Sequence, residues 1–237
     1  MKGIIFDFNG TMFLDSHLHE QAWFEMIKRH TGKELTEEDI LHNIHGRTND
    51  KILRHFLSES LTDEEVLKLG TEKEQYYRDL CVAEDKLVLT DGLAETLDKI
   101  VDKGLPLTIA TASEKENVAF YFDVFPLTRW FDFDKVVFHD GSFPGKPNPD
   151  IFLHAARKLE LQPEDCMVIE DAFSGLTAAK RANIGAVIAI DPFGENTAVF
   201  EEAGLSEDGL ITDFHGFFES MIEPRLNKKS GQVRLGL

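Results

Sequence analysis

The reading of the fold turns on Gly3-Ile4-Ile5-Phe6-Asp7-Phe8-Asn9-Gly10-Thr11. Its first four residues are small or apolar without alternation, and an acid then stops the run. A strand buried on one face would alternate with period two, so an unbroken run of this length predicts a short strand covered on both faces. Runs of the same kind recur at residues 105–110, 135–138, 166–169 and 186–190. Helix-period stretches follow most of them, at residues 114–122, 149–159, 174–182 and 197–203. Strand then helix, repeated, predicts an α/β fold: a Rossmann-like parallel sheet core with helices on both faces.

The interval between the first two runs breaks the alternation. Residues 15–85 hold helix-period segments and no strand pattern, which predicts an inserted α-helical cap domain, the core being residues 1–14 and 86–237. Thr62 with Glu65 three positions on is a capping box, so the last long cap helix is expected to start there. Val66, Leu69 and Leu80 fall on one face of that helix, with Trp23, Met26, Ile27, Phe56 and Leu57 as the packing residues of its neighbours. The residues from 225 on lack periodicity and are expected to pack poorly.

Composition narrows the class. Lys and Arg number 25 against 43 Asp and Glu, a formal charge of −18 that repels nucleic acid and anionic membrane surfaces. Arg225, Lys228, Lys229 and Arg234 are unaccompanied by any acid, so the body ahead of them is more acidic still. An anionic substrate therefore needs a metal or local cations. Two cysteines, Cys81 and Cys166, cannot form a disulfide framework, and no apolar stretch approaches the ~18 residues of a membrane span. Asp7 interrupts the first apolar run too early for a secretory signal, and the cytoplasm is the expected compartment.

In an open parallel sheet, ligands bind beyond the carboxyl ends of the strands, which directs attention to the residue after each apolar run. Those positions carry Asp7, Asn9, Gly10 and Thr11, then Thr111 and Ser113, then a loop ending at Lys146, then Glu170 and Asp171. Asp7, Glu170 and Asp171 are hard oxygen donors, a set suited to Mg²⁺ completed by waters and a substrate phosphate. Thr111 can donate its hydroxyl to an anion, and Ser113 with Glu116 has the capping-box pattern that opens a helix beside a phosphate. Lys146 is the cation that would offset carboxylate repulsion. Each has a plainer reading: Glu170-Asp171 as a turn before a helix, Ser113 as a cap, Lys146 as a solvated lysine.

Four strings taken together change that balance. Phe6-Asp7-Phe8-Asn9-Gly10-Thr11, Ile109-Ala110-Thr111-Ala112-Ser113, Gly145-Lys146-Pro147-Asn148-Pro149-Asp150 and Ile169-Glu170-Asp171-Ala172-Phe173-Ser174-Gly175 resemble, in order, the four motifs of the haloacid dehalogenase-like (HAD) hydrolases. The insert resembles the small helical cap of the β-phosphoglucomutase-like and phosphoglycolate-phosphatase-like branch. The resemblance implies an aspartate nucleophile, Asp7, that takes the phosphoryl group as an aspartyl-phosphate, with Lys146 as its catalytic partner. It implies Mg²⁺ held by Asp7, the backbone carbonyl of Asn9 and Asp171, with Glu170 inside or just behind the ligand set. Thr111, Ser113 and Lys146 would bind the phosphoryl group together with backbone N–H groups near Asn9 and Gly10. In the cap, His45-Gly46-Arg47-Thr48 is similar to that branch's substrate loop, and His19 and Trp23 match its hinge-side His and Trp. His19, His45 and Arg47 are thus the expected substrate residues.

One residue departs from the pattern. Phosphatases and mutases of this family carry an aspartate two positions after the nucleophile as general acid/base, and here that position is Asn9. An amide cannot give up a proton, a loss on the order of 10²–10⁴-fold where the reaction needs one. The family's phosphonate hydrolases use a cap lysine that residues 45–49 do not supply, and its dehalogenases have no need of metal carboxylates. The reading reached from sequence is a Mg²⁺-dependent phosphatase of a small phosphorylated metabolite, slowed by Asn9. Its alternatives are a phosphosugar mutase and a catalytically silent phosphate- or metal-binding protein.

Overall fold

The computed structural model describes residues 1–44 and 47–226. Two compact units emerge, one built from Met1–Phe13, Leu89–Lys115 and the chain from Pro126 on, the other from Leu14–Val88 with Glu116–Phe125. The second unit thus includes a segment from the 114–122 stretch in addition to the insert.

The first unit is a five-stranded parallel sheet: β1 Gly3–Phe6, β2 Leu107–Ile109, β3 Cys166–Glu170, β4 Ala186–Ile190 and β5 Leu210–Ile211, in the order β2-β1-β3-β4-β5. Every residue of β1, β3 and β4 is buried, which is why these strands read as continuous apolar runs. Successive side chains of β1 point to opposite faces. Ile5 packs with Phe152, Val168 and Leu176 on one face, while Phe6 meets Phe131 and Phe214 on the other at ring separations of 6.2 and 6.1 Å. The helices Asp150–Lys158 and Phe173–Arg181 contribute their apolar sides to the first of these layers. Strand order reverses beside β1, because β2 lies on one side of it and β3 on the other. The switch point of such a sheet lies at the carboxyl ends of β1 and β3.

Three details differ from the sequence expectations. Residues 135–138 do not form a strand: the Asp132 carboxylate accepts from the Asp134 N–H and draws Phe133–Lys135 into a 3₁₀ turn. Only Val137 then bridges to Ala110, through Val137 N–H to Ile109 O and Thr111 N–H to Val137 O, both 2.9 Å. The fifth strand is the two-residue β5, too short to leave a periodic signal. The 225–237 stretch also begins differently from expectation. Arg225 lies in the Glu223–Leu226 helix and donates to the carbonyls of Met221 and Asp208.

The second unit is helical. Its core joins Trp23, Met26 and Ile27 of the Ser16–Thr31 helix to Ile44, Ile52, Leu53 and Phe56, with Leu57, Val66 and Leu69 packed at its edge. The capping box opens the Asp63–Ala83 helix, with Glu65 N–H donating to Thr62 and Thr62 N–H donating to Glu65. Further along, that helix buries Lys73, Glu74, Tyr77 and Cys81. No helix among the described residues is long and apolar enough to cross a membrane.

Candidate active site

The ladder between β1 and β3 runs one residue beyond β1, because Asp7 N–H donates to Ile169 O at 3.0 Å. This fixes Asp7 beside Glu170, the last residue of β3. Lys146 joins them: its Nζ lies 2.5 Å from Asp7 Oδ1 and 2.7 Å from Glu170 Oε2, with only 8% of the side chain exposed. The second Glu170 oxygen accepts the Ala172 N–H at 3.1 Å. Asp171 accepts the Thr11 hydroxyl at 3.2 Å. Asp7, Glu170 and Asp171 each offer an oxygen, and the three lie within 4.8 Å of one another.

Two glycines make this crowding possible. Gly10 has φ +77°, which an L side chain rarely adopts, and a Cβ there would overlap the Asp171 carboxylate. A Cβ on Gly175 would overlap the Glu170 carboxyl in the same way. The carboxyl of Asp171 is pushed well above the usual carboxylate range, first by burial and then by the charges of Glu170 and Asp7. Burial works to lower the Lys146 ammonium, yet Asp7 and Glu170 together hold it above its ordinary value. Three carboxyls around one ammonium leave an excess of acid. A small hard cation fits this donor set, which is all oxygen, clustered and enclosed.

A second cluster adjoins through Asn9. Ser113 Oγ donates to Asn9 Oδ1 at 2.7 Å and Thr111 Oγ1 donates to the same atom at 3.3 Å, while Thr111 Oγ1 accepts the Ser113 N–H at 3.1 Å. The Ser113 hydroxyl, expected as half of a capping box, is therefore directed at Asn9. Gly10 also differs from expectation: its N–H donates to Phe13 O at 2.7 Å, so the turn consumes the donor assigned to phosphate. The glycine serves the close approach of Asp171 instead.

Among the expected cap residues, His45 lies outside the described residues. Arg47 is exposed at the start of the segment leading to the Asn49–Phe56 helix, its N–H donating to Ile44 O. His19 stacks on Tyr77 with ring centroids 3.8 Å apart, and its Nδ1 is 2.9 Å from Lys73 Nζ. Lys73 also pairs with Glu74 at 2.8 Å and sits 5.1 Å over the Trp23 ring. The Glu74 carboxyl accepts from Asn49 and Asn117 as well. Burial alone would raise that carboxyl, but Lys73, His19 and the Asn49 amide bring it down to about 2. Tyr77 donates to Asp15, and the Tyr121 hydroxyl donates to Tyr77 at 3.3 Å. Sequence reasoning named Thr11 among the strand-end residues without giving it a role, and it missed this buried polar group. The available signal was Lys73 standing four residues after Leu69 and four before Tyr77, on a helix line that is otherwise apolar.

The model of the haloacid dehalogenase-like hydrolases matches residues 1–183. The chain belongs to that family. As such it is an enzyme, a hydrolase built on a Rossmann-like parallel sheet. A solved HAD hydrolase of family IA, variant 3, from Entamoeba histolytica is 35% identical with a TM-score of 0.84, covering 91% of this chain and 94% of its own. Protein CbbY of Rhodobacter capsulatus is 29% identical over 194 residues, 79% of this chain and 85% of that protein. The β-phosphoglucomutase of Mycobacterium tuberculosis is 25% identical over 241 residues, 90% of each chain. A structure of CbbY from Rhodobacter sphaeroides in complex with xylulose-(1,5)bisphosphate is 25% identical with a TM-score of 0.74, covering 90% of this chain and 95% of its own.

Proposed function

We propose that this hydrolase is a cytoplasmic, Mg²⁺-dependent phosphatase of a small phosphorylated metabolite, acting through an aspartyl-phosphate at Asp7. The observation that carries the reading is the buried Lys146 ammonium bonded to both Asp7 and Glu170, with Asp171 alongside. Asp7, Asp171 and Glu170, with the Asn9 backbone carbonyl, would hold the Mg²⁺ ion, which when bound supplies charge neutralisation for the phosphoryl oxygens. Lys146 pairs with the carboxylate form of Asp7, the form that is nucleophilic. An Asp7 oxygen attacks phosphorus and the bond to the leaving oxygen breaks. Water then attacks the phosphorus of the aspartyl-phosphate, releasing inorganic phosphate and returning the electron pair to Asp7. Lys146 presents its ammonium to the transferring group, Thr111 and Ser113 act beside it through the Asn9 carboxamide that their hydroxyls hold, and His19, His45 and Arg47 are the proposed contacts to the rest of the substrate.

A phosphosugar mutase is the second reading, favoured by the β-phosphoglucomutase relative that matches 90% of the chain. Phosphate release from sugar phosphates, nucleotides, acyl phosphates and pyrophosphate, with and without Mg²⁺, tests the proposal. Isomerised sugar phosphate without net release would favour the mutase. No chemistry on any substrate in the presence of Mg²⁺ would refute both, and leave a phosphate- or metal-binding protein.

A further inference from the structure

The Asn9 carboxamide is not a loose stand-in for an acid. Its oxygen is gripped by two hydroxyls, Ser113 at 2.7 Å and Thr111 at 3.3 Å. The Thr111 hydroxyl is oriented in turn, because its oxygen accepts the Ser113 N–H and its hydrogen is thereby turned toward Asn9. With Oδ1 turned to these donors, the carboxamide presents Nδ2 as its other pole. That pole can donate a hydrogen bond to an oxygen carrying negative charge, and it has no proton to release.

We propose that Ser113 is a positioning residue that fixes Asn9 as a hydrogen-bond donor, and that the site is built for phosphoryl donors whose leaving group departs as a stable anion. Acyl phosphates, enol phosphates and phosphoanhydrides are that class. The inference rests on the phosphatase reading and narrows its substrate. With an acyl phosphate, the Asp7 oxygen bonds to phosphorus, the phosphorus–oxygen bond to the acyl group breaks, and the carboxylate leaves with the electron pair and takes no proton. An alkoxide leaving from an alkyl phosphate needs a proton at that moment, and Asn9 has none to give. In the second step water adds to phosphorus, the bond to Asp7 breaks, and the two water protons end on phosphate. No carboxylate at position 9 assists that attack, so the aspartyl-phosphate outlives one in a site that carries the acid.

The experiment compares acetyl phosphate with glycerol phosphate on wild type, Asn9→Asp, Ser113→Ala and Ser113→Thr, all with Mg²⁺, and follows the intact-protein mass during turnover of acetyl phosphate. Wild type is expected to prefer acetyl phosphate in kcat/KM by about 10²-fold or more, the scale of one lost acid/base group. Asn9→Asp should shrink that ratio by about 10²-fold through its gain on glycerol phosphate. A fraction of wild-type protein should carry one added phosphoryl group during turnover, and a smaller fraction of Asn9→Asp. Ser113→Ala should lower kcat on acetyl phosphate about 10-fold with KM little changed, and Ser113→Thr, which keeps the hydroxyl, should restore most of it. Mass spectrometry of the Asn9-Gly10 peptide verifies that the wild-type sample has not deamidated. An acetyl-to-glycerol phosphate ratio equal in wild type and Asn9→Asp overturns the inference while leaving the phosphatase standing. Equal loss from Ser113→Ala and Ser113→Thr overturns the positioning role. Inactivity of wild type and Asn9→Asp on both substrates overturns the phosphatase reading and this inference with it.

Discussion

Gly175→Ala sets helix propensity directly against the geometry of the site. Gly175 is the third residue of the Phe173–Arg181 helix, where glycine costs about 1 kcal/mol relative to alanine, so propensity alone predicts that the substitution stabilises. The added methyl, however, falls on the carboxyl group of Glu170. Glu170 is 1% exposed and both its oxygens are engaged, one by Lys146 and one by the Ala172 N–H, so any move away from the methyl breaks at least one of these bonds. Breaking a buried charge pair typically costs about 3–5 kcal/mol. Set against the propensity gain, a net destabilisation of about 2–4 kcal/mol is expected. Urea unfolding followed by circular dichroism, in chelator so that metal does not contribute, reads the difference directly. The same substitution in a Glu170→Ala background removes the clash, and there Gly175→Ala should be neutral or stabilising by up to about 1 kcal/mol. Equal costs in the two backgrounds, or a Gly175→Ala protein as stable as wild type, would refute the argument.

Three further outcomes are expected. Asp7→Asn should abolish turnover and weaken Mg²⁺ binding, whereas Asp171→Asn should act mainly on the metal; phosphate release and titration calorimetry separate the two, and an active Asp7→Asn enzyme would exclude the covalent route. Lys146→Met leaves Asp7 and Glu170 without their shared cation, so the protein in chelator should lose about 3–5 kcal/mol, and Mg²⁺ should raise its Tm by more than it raises that of wild type; equal Tm values in chelator would count against the lysine's electrostatic role. In the helical unit the Glu74 carboxyl lies at about 2, below its ordinary 4.5, so its contribution to stability is complete above pH 4.5 and is lost as the pH falls toward 2. Urea midpoints measured between pH 6 and pH 3 should fall more steeply for wild type than for Glu74→Gln, and parallel slopes would show that this carboxyl is not the titrating group.

The sheet was legible because β1, β3 and β4 are buried on both faces, and such strands can hardly be anything but continuous apolar runs. The 135–138 segment misled for the same reason. Val136, Val137 and Phe138 are apolar enough for a strand, but the local bond from Asp134 N–H to the Asp132 carboxylate bends the chain just ahead of them, and a periodic pattern does not register one side-chain bond. Asp7, Glu170 and Asp171 could be named from sequence because strand ends bring them to one place, whereas Lys146, on a loop that follows no strand, was named through the third of the four strings. The partners of Asn9 could not, since Ser113 had an equally good local role as a helix cap. Lys73 lay on an apolar helix line, but its partners were not legible there: the aromatic faces of Trp23 and Tyr77 and the Glu74 carboxyl that give it a buried environment leave no mark on periodicity.

The charge arrangement explains why metal and substrate should bind together in the proposed reaction. Lys146 already lies between Asp7 and Glu170, and the Asp171 carboxyl is raised first by its burial and then by the charges of those two acids. A phosphoryl group brings further negative charge to this corner of a chain whose formal charge is −18. A divalent cation held by Asp7, Glu170 and Asp171 would reverse the local balance, since it would offset the excess carboxylate and supply positive charge for an anionic substrate. Each ligand then raises the affinity of the other by the same factor, as linkage requires. Asn9 fits this division of labour. Where a family aspartate would add one more acidic group beside these three carboxyls, the amide adds none, so the substitution that removes a proton donor also eases the electrostatic cost of bringing in an anion.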